Sequence, residues 1–558
     1  MHARFITGGW DTAFKWNSDT ARKVLVLLCF ALVLDMQVRY SLVAMRNAVF
    51  WRDEAQHLQL AREHLFVQAR HFLQELEPYS YILTLRIWTD LFGAHEAGAR
   101  SLSAFCVMLA TLLLYRLGRR WFRERTAALA LATLVGCSPM VLERIATVTK
   151  PYAFSLLACV LLLERVISLE TSRQRIRSWL GVFFAAVLAG NAQPVGFAWM
   201  TALGVLWMRR RLGESAGFHR KAIAALTVPT LMMIAASPSL VQAVRFAAEE
   251  TGCARIAAGT LGVPYFAQFG LRVLGALNPL MYYGVYHALD DYPRAGIPSL
   301  VRLPPETGAL VALLAVPAVG LVLIAVWKSS RWSAVDALIL GTMPIVLLGL
   351  GGLVNARMVW VWKSFSAVAA GTAMMVVVLL RPARRLLAVL VAVTLLRTAV
   401  HLPSYAATHD GKSSDARDAA RFVSRLAHSN DVIVLANTAL SPAFSYYYGG
   451  PGRQVHHPYD HAIRYYRMME MYRFQGEKWR AERTAEIMRR AGREGRRVWF
   501  LEGGTPEPLP AHRWYSPQDL PLFRDTLRSC FNLVTNREFN TTLEPFRVSL
   551  WRSAAATE

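Results

Sequence analysis

Charge is scarce in this chain. Only 18% of its 558 residues are Asp, Glu, Lys or Arg, against about 25% in an ordinary soluble domain. Hydrophobic residues make up 54%. This balance argues against a soluble globular protein and for a polytopic membrane protein. Acidic residues are the scarcer charged kind, 38 against 62 basic, for a net charge of +24. Lysine is rare as well: 8 of the 62 basic residues, leaving 54 Arg, a bias that fits a GC-rich bacterial genome. In a soluble protein the excess positive charge would suggest nucleic acid. Here the basic residues sit in short clusters between apolar runs, which reads as membrane topology, and no nucleic-acid partner is expected.

Cysteine is also sparse, with six in all. None forms a CxxC or a Cys/His metal spacing. Cys29, Cys106, Cys137 and Cys159 fall in apolar runs and read as small buried hydrophobes. Cys253 and Cys530 fall outside them and could pair if both face an oxidising compartment. No small-residue cleavage site follows the basic N-terminus, so the first apolar run reads as a retained span and not a removed signal peptide. There is no internal repeat and no long low-complexity stretch.

Long apolar runs are what the chain does have. They cover 24–44, 98–115, 126–142, 151–168, 178–190, 194–208, 222–242, 307–327, 333–354, 364–380 and 386–400, or about eleven spans. Basic clusters mark alternate ends: Lys15, Arg22 and Lys23, then 116–125, 172–177, 209–221, 328–331 and 381–385. With these cytoplasmic, the outer segments are 45–97, 143–150, 191–193, 243–306, 355–363 and the tail from 401. The apolar stretch 79–92 would break this alternation as a full span, so a juxtamembrane or re-entrant helix is expected there. In the tail, helix-like 416–427 precedes strand-like 431–437, helix-like 479–491 precedes 496–503, and 546–552 is a last strand. The expected organisation is a membrane domain over 1–400 and a small α/β domain over 401–558.

The outer segments concentrate functional side chains. The first holds Arg52, Asp53, Glu54 and His57; the second Glu143, Arg144, Lys150 and Tyr152; the third Asn191 and Gln193; the one near 355 Asn355, Arg357 and Lys363. Arg100 lies at the start of the second long run. One carboxylate base among several cations suits a phosphate-bearing substrate whose reaction removes a proton. Each residue also has a plainer reading. Asp53 could be an N-cap, with Gln56 completing a capping box. His57, four residues on, could simply pair with Asp53 or contact metal or substrate. Arg100, Lys150 and Arg357 could be interfacial snorkelers. Tyr446–Tyr448, followed by Gly449 and Gly450, could stack on sugar or pack in a small domain. Asn540-Thr541-Thr542 fits a glycosylation sequon, discounted in a bacterium.

Several stretches together resemble a known family. The pattern DEAxxxxxAR runs from Asp53 to Arg62, followed by YSYILTLRIWTDLFGAHEAGARSLSA (79–104) and LLLYRLGRRWF (112–122). SPMVLERIATVTKPYAF (138–154), NARMVWVWKSFSAVAAG (355–371) and 415–437 continue it. The chain resembles the GT-C superfamily of membrane glycosyltransferases, in the bacterial branch related to protein O-mannosyltransferases and the aminoarabinose transferase of lipid A. The resemblance covers most of the chain and is most specific in the first 120 residues. It departs from the family's pattern at Glu77-Pro78, where relatives have Pro-Pro, at Lys150 for Arg, at Gln193 for His and at Met358 for Tyr.

The resemblance implies a GT-C-like, mostly α, polytopic fold in a bacterial inner membrane, with the N-terminus cytoplasmic and the tail periplasmic. It implies inverting transfer of a sugar from a polyprenyl-phosphate donor to a lipid, glycan or protein hydroxyl. Asp53 would be the base. Lys150 and Arg357 would neutralise the leaving phosphate, with Tyr152 as hydrogen-bond donor and Arg52, His57, Arg100, Gln193 and Lys363 lining the donor site. Glu54 would be either a second functional carboxylate, orienting Arg52 or His57 or, with His57, helping to bind a divalent cation, or only a favourable charge in the helix's first turn; no other cofactor is expected. Segment 259–286, apolar, with Arg245, Glu249 and Glu250 nearby, is a candidate lid or plain interfacial helix. A lipid-linked glycan ligase would share the donor chemistry. A transporter is the rival from another class, but there is no inverted repeat and the charges cluster at one face, not at the midplane.

Overall fold

The computed structural model describes residues 18–74, 78–171, 176–193, 195–212, 218–258, 332–354, 361–408, 414–436, 440–458, 478–503, 519–539 and 546–554. The chain is mostly helical. Ten of the eleven apolar runs form helices or the greater part of one, and run 307–327 lies outside the described residues.

The helices are α1 (Ser18–Met45), α2 (Arg52–Arg62), α3 (Leu65–Gln74), α4 (Tyr79–Phe92), α5 (Glu96–Phe122) and α6 (Arg125–Gly136). A π-helical turn (Met140–Ile145) leads to α7 (Pro151–Thr171), α8 (Ile176–Gly190), α9 (Val195–Leu212), α10 (Phe218–Ala258), α11 (Trp332–Val354), α12 (Val361–Leu380) and α13 (Arg384–Thr408). Among the described residues five stretches are long and apolar enough to cross a membrane: Lys23–Met45, Glu96–Phe122, Pro151–Leu169, His219–Ser239 and Arg384–Ala407. The chain is thus a multipass membrane protein. Apolar segments in α6, α8, α11 and α12 are shorter. The 14-residue α4 is below spanning length.

Local chemistry explains the breaks and the close crossings. Between α4 and α5 the chain turns at Gly93, whose φ of +89° is a conformation that suits glycine. At Gly371 on α12 a Cβ would sit 2.0 Å from the Leu340 carbonyl of α11, so that crossing needs glycine. Pro238 inside α10 offers no N–H to Ile234 O, and the Ser237 hydroxyl donates to that carbonyl at 2.8 Å instead. At the basic end of α9, Arg209 and Arg210 grip the buried Asp336 of α11 at 2.9 and 2.7 Å. Cys29, Cys106, Cys137, Cys159 and Cys530 are free. The side chain of Cys253, suggested as a partner for Cys530, lies outside the described residues.

The tail carries α14 (Ala416–Leu426), β1 (Val432–Leu435), α15 (Ser441–Tyr447), β2 (Arg453–His456), α16 (Lys478–Arg493), β3 (Val498–Gly503), α17 (Asp519–Cys530), β4 (Phe531–Phe539) and β5 (Phe546–Ser553). The strands form one sheet in the order β2-β1-β3-β5-β4. β1 pairs in parallel with β2 and β3; β5 runs antiparallel between β3 and β4. Strand alternation divides the core. Val432, Val434, Val498 and Phe500 face α16 and α17. Ile433, Leu435, Trp499 and Leu501 face α14 and α15, in a core continuous with the helical bundle. Through α15 this side packs directly on α2.

Candidate active site

α2 supplies the acidic pair. The backbone is extended at Trp51, which caps a helix starting at Arg52. Asp53 is therefore the second helical residue, and the expectation that it is the N-cap of a box closed by Gln56 is corrected. The side chain that reaches back is Glu54: its Oε2 accepts from Trp51 N at 3.3 Å. Starting at Arg52 turns Ala55, Leu58 and Ala61 inward. It also leaves two carboxylates in the first turn, where the unpaired N–H groups favour negative charge.

The two carboxylates have different surroundings. Glu54 is fully buried and each of its oxygens takes two donors. Oε1 accepts from Arg100 Nε at 3.0 Å and Thr149 N at 2.7 Å; Oε2 accepts from Arg100 Nη2 at 2.8 Å in addition to Trp51 N. Arg100, also buried, directs further donors to Ala44 O at 3.0 Å and Val49 O at 3.1 Å. This is a clamp joining α5, the end of α1, α2 and the turn before α7. It does not present Glu54 to a cation, because a metal would have to displace Arg100 or the Thr149 amide. Nor does it present Arg100 to a phosphate. Among the described residues no three His, Cys, Asp or Glu side chains gather as a metal site.

Asp53 keeps about a quarter of its side chain exposed. Its Oδ2 accepts from Lys150 Nζ at 2.5 Å, and Arg52 Nε lies 3.3 Å from Oδ1. Lys150 is otherwise buried, with Nζ 5.0 Å from the centroid of the Trp51 ring; the Arg52 guanidinium is 5.9 Å from the same centroid. Burial pushes the Asp53 carboxyl up. The charges of Lys150 and Arg52, the Lys150 hydrogen bond and the nearby His57 outweigh it and hold the carboxyl well below the usual carboxylate range. Asp53 is thus ionised at neutral pH.

Lys150 reaches this place because of the backbone before it. The π-helical turn ends in a turn over 146–150, with Lys150 N donating to Val148 O at 2.9 Å, and Pro151 opens α7. Proline suits a first helical position, where its missing N–H goes unused. Adjacent residues then serve the two carboxylates: Thr149 N meets Glu54 and Lys150 Nζ meets Asp53.

His57, buried one turn after Asp53, sits edge-on to Tyr81 with ring centroids 5.7 Å apart. Tyr152 is buried and close enough to Lys150 and Asp53 to feel both charges. Gln193 is buried between α8 and α9, and its Oε1 has no hydrogen-bond partner among the described residues. Neighbouring Asn191 is structural, bonding Ser239 Oγ and the carbonyls of Val187 and Ala235. Arg357, Met358, segment 259–286 and the sequon at 540–542 lie outside the described residues, as do the side chains of Arg144, Arg245, Glu249, Glu250 and Lys363. Glu143 in the π-helical turn faces His401 of α13, 3.5 Å away, and His401 also meets Tyr40 OH at 3.0 Å. Sequence reasoning did not single out Trp51, His401 or Tyr40. For Trp51 the available signal was an aromatic directly before Arg52 and Asp53.

A family model described as dolichyl-phosphate-mannose-protein mannosyltransferase matches residues 77–242. The match spans α4 into α10, with Arg100, Lys150, Tyr152 and Gln193 inside it and Asp53 before it. The chain resembles the GT-C superfamily of membrane glycosyltransferases, as its motifs implied. Within that superfamily it resembles the O-mannosyltransferases and ArnT. ArnT from Cupriavidus metallidurans in the apo state is similar at 14% identity and TM-score 0.48, covering 96% of this chain and 99% of that one. The same protein bound to undecaprenyl phosphate gives 14%, 0.46, 94% and 98%. The Archaeoglobus fulgidus oligosaccharyltransferase tethered with an acceptor peptide gives 12%, 0.49, 93% and 73%. All three scores lie below 0.5, so these stand as similarities only. No curated protein matches the chain's sequence.

Proposed function

We propose that this protein is an inverting glycosyltransferase that moves a sugar from a polyprenyl phosphate of the undecaprenyl type to a hydroxyl acceptor at the outer face of a bacterial inner membrane. The observation that carries the reading is the Asp53–Lys150 contact: a partly exposed, ionised carboxylate held against a buried cation. The acceptor hydroxyl attacks the anomeric carbon, the bond from that carbon to the phosphate oxygen breaks with its electron pair leaving on phosphate, and the hydroxyl proton passes to Asp53. A phosphate leaving group needs neutralising charge more than a protonating acid. Lys150 and Arg52 are the cations in place for it. Drawing Lys150 toward a phosphate would remove the largest influence that lowers the Asp53 carboxyl, raising its basicity when the donor is bound. Glu54 and Arg100 hold these groups in place and do not react.

The family model's printed donor, a dolichyl-phosphate sugar, supports the donor class. In this reading residues 1–400 form a membrane domain of about eleven spans, the N-terminus is cytoplasmic, and 401–558 is a periplasmic α/β domain. Mass spectrometry of cell-envelope glycolipids with and without the protein tests the assignment. A one-sugar mass difference supports it and names acceptor and sugar class. An unchanged profile with altered solute uptake would favour a transporter instead.

A further inference from the structure

The loop that leads into Asp53 is held from two sides, and one of them is the tail. Ala48, Val49 and Phe50 are buried and lie three to five residues before Asp53. Each has a main-chain polar group tied by a distant side chain. Val49 O accepts from Arg100 of α5 at 3.1 Å. Ala48 O accepts from Arg417 of α14 at 3.2 Å. Phe50 N donates to the hydroxyl of Tyr447 on α15 at 2.7 Å. That hydroxyl donates its own proton to Glu96 Oε1 at 2.9 Å, and Arg417 lies 3.6 Å from the same oxygen. Tyr446 packs its ring edge-on to Phe50 with centroids 5.3 Å apart, and Gln59 on α2 donates to Pro442 O at 3.2 Å. The tyrosines are therefore occupied at an internal junction, not presented as a platform for sugar.

We infer that Tyr447, with Arg417, is a positioning element of the reacting centre: the tail fixes residues 48–50 and so sets where α2 begins and where Asp53 meets Lys150. The chemistry of the relay is specific. A phenol can accept from an amide and donate to a carboxylate at once. Phenylalanine keeps the ring and loses both bonds. Because a base acts on the transition state, misplacing it lowers turnover more than donor binding. The inference rests on Asp53 acting as base, so its test has an arm that needs no activity.

Full-length protein is compared with Tyr447→Phe and with Tyr448→Phe, whose hydroxyl bonds Pro451 O inside the tail. Hydrogen–deuterium exchange should speed up in a peptide covering 46–54 in Tyr447→Phe and stay unchanged in peptides covering 416–426 and 432–435. Transfer should lose roughly tenfold in kcat with donor KM changed less than about twofold, and Tyr448→Phe should match wild type in both measurements. Unchanged exchange at 46–54 overturns the clamp, whatever reaction the protein performs. Faster exchange there with wild-type kcat overturns the positioning role, as does a loss in which KM and exchange throughout the tail move together. Absence of transfer by the wild-type protein would overturn the proposed function, and with it the positioning role, while the exchange arm still decides whether the tail holds this loop.

Discussion

Glu54→Gln is the substitution that best separates clamp from catalyst. Glu54 is fully buried and receives four hydrogen bonds, two of them from the Arg100 guanidinium. Glutamine has nearly the same shape, but one of its two positions is an NH2. Whichever oxygen is replaced, one guanidinium N–H and one backbone N–H then face another donor. If Oε1 is replaced these are Arg100 Nε and Thr149 N; if Oε2, Arg100 Nη2 and Trp51 N. The guanidinium is also left charged in a buried place without its counter-charge. Breaking one side of a buried pair costs about 3–5 kcal/mol. Equilibrium unfolding of the detergent-solubilised chain measures it. The Glu54→Gln/Arg100→Gln double variant, with the charge removed from both sides, should lose less than the two single variants added together. A Glu54→Gln variant within about 1 kcal/mol of wild type, or a fully additive double variant, would refute the clamp and return Glu54 to the list of reacting groups.

Lys150→Met removes the largest influence lowering the Asp53 pKa and leaves burial pushing it up. The carboxyl should then protonate at higher pH than in wild type, so the acid limb of the pH–rate profile moves upward, and difference infrared spectroscopy of the carboxyl stretch should follow it. An unmoved limb with intact transfer would separate Lys150 from the base. In the tail, burial raises the Asp431 carboxyl, but hydrogen bonds from Arg497, His428 N and Trp499 outweigh it and the net shift is downward. Asp431 therefore contributes stability that is present above the ordinary Asp range near about 4 and is lost as pH falls through its lower folded value. Asp431→Asn should be less stable at neutral pH and should lose less on acidification, measured by unfolding midpoints at pH 7 and pH 3. Parallel losses in the two proteins would contradict this.

The elements were more legible than their contacts. Apolar length located ten helices, because a membrane-length run has few alternatives. In the tail, helix-like 416–427 and 479–491 correspond to Ala416–Leu426 and Lys478–Arg493, and strand-like 431–437 and 496–503 to Val432–Leu435 and Val498–Gly503. β4 escaped notice: FNLVTNREF is largely polar and solvent-facing, as an edge strand can be. At the candidate site, the charge alternation grouped the segments holding Asp53 and Lys150, and the structure brings the two into contact. The cap was misplaced because DEAQ and WRDE both offer an acidic or amide side chain three residues after a starting residue, and only the buried face decides between them. The partners of Glu54 and Tyr447 could not be read at all. Arg100 is 46 residues from Glu54 and Tyr447 is 351 from Glu96, and no periodicity links such positions.

Asp53→Asn tests the central claim most directly. Asparagine keeps the side chain's size but leaves the buried Lys150 ammonium without its counter-charge, a loss of up to about 3–5 kcal/mol, so transfer is compared per folded, inserted protein. Transfer from a polyprenyl-phosphate sugar in reconstituted membranes should fall by about 10²–10⁴-fold, the contribution of a general base, with the full-length protein still inserted. Transfer by Asp53→Asn at a rate near wild type would contradict the assignment of Asp53 as the base.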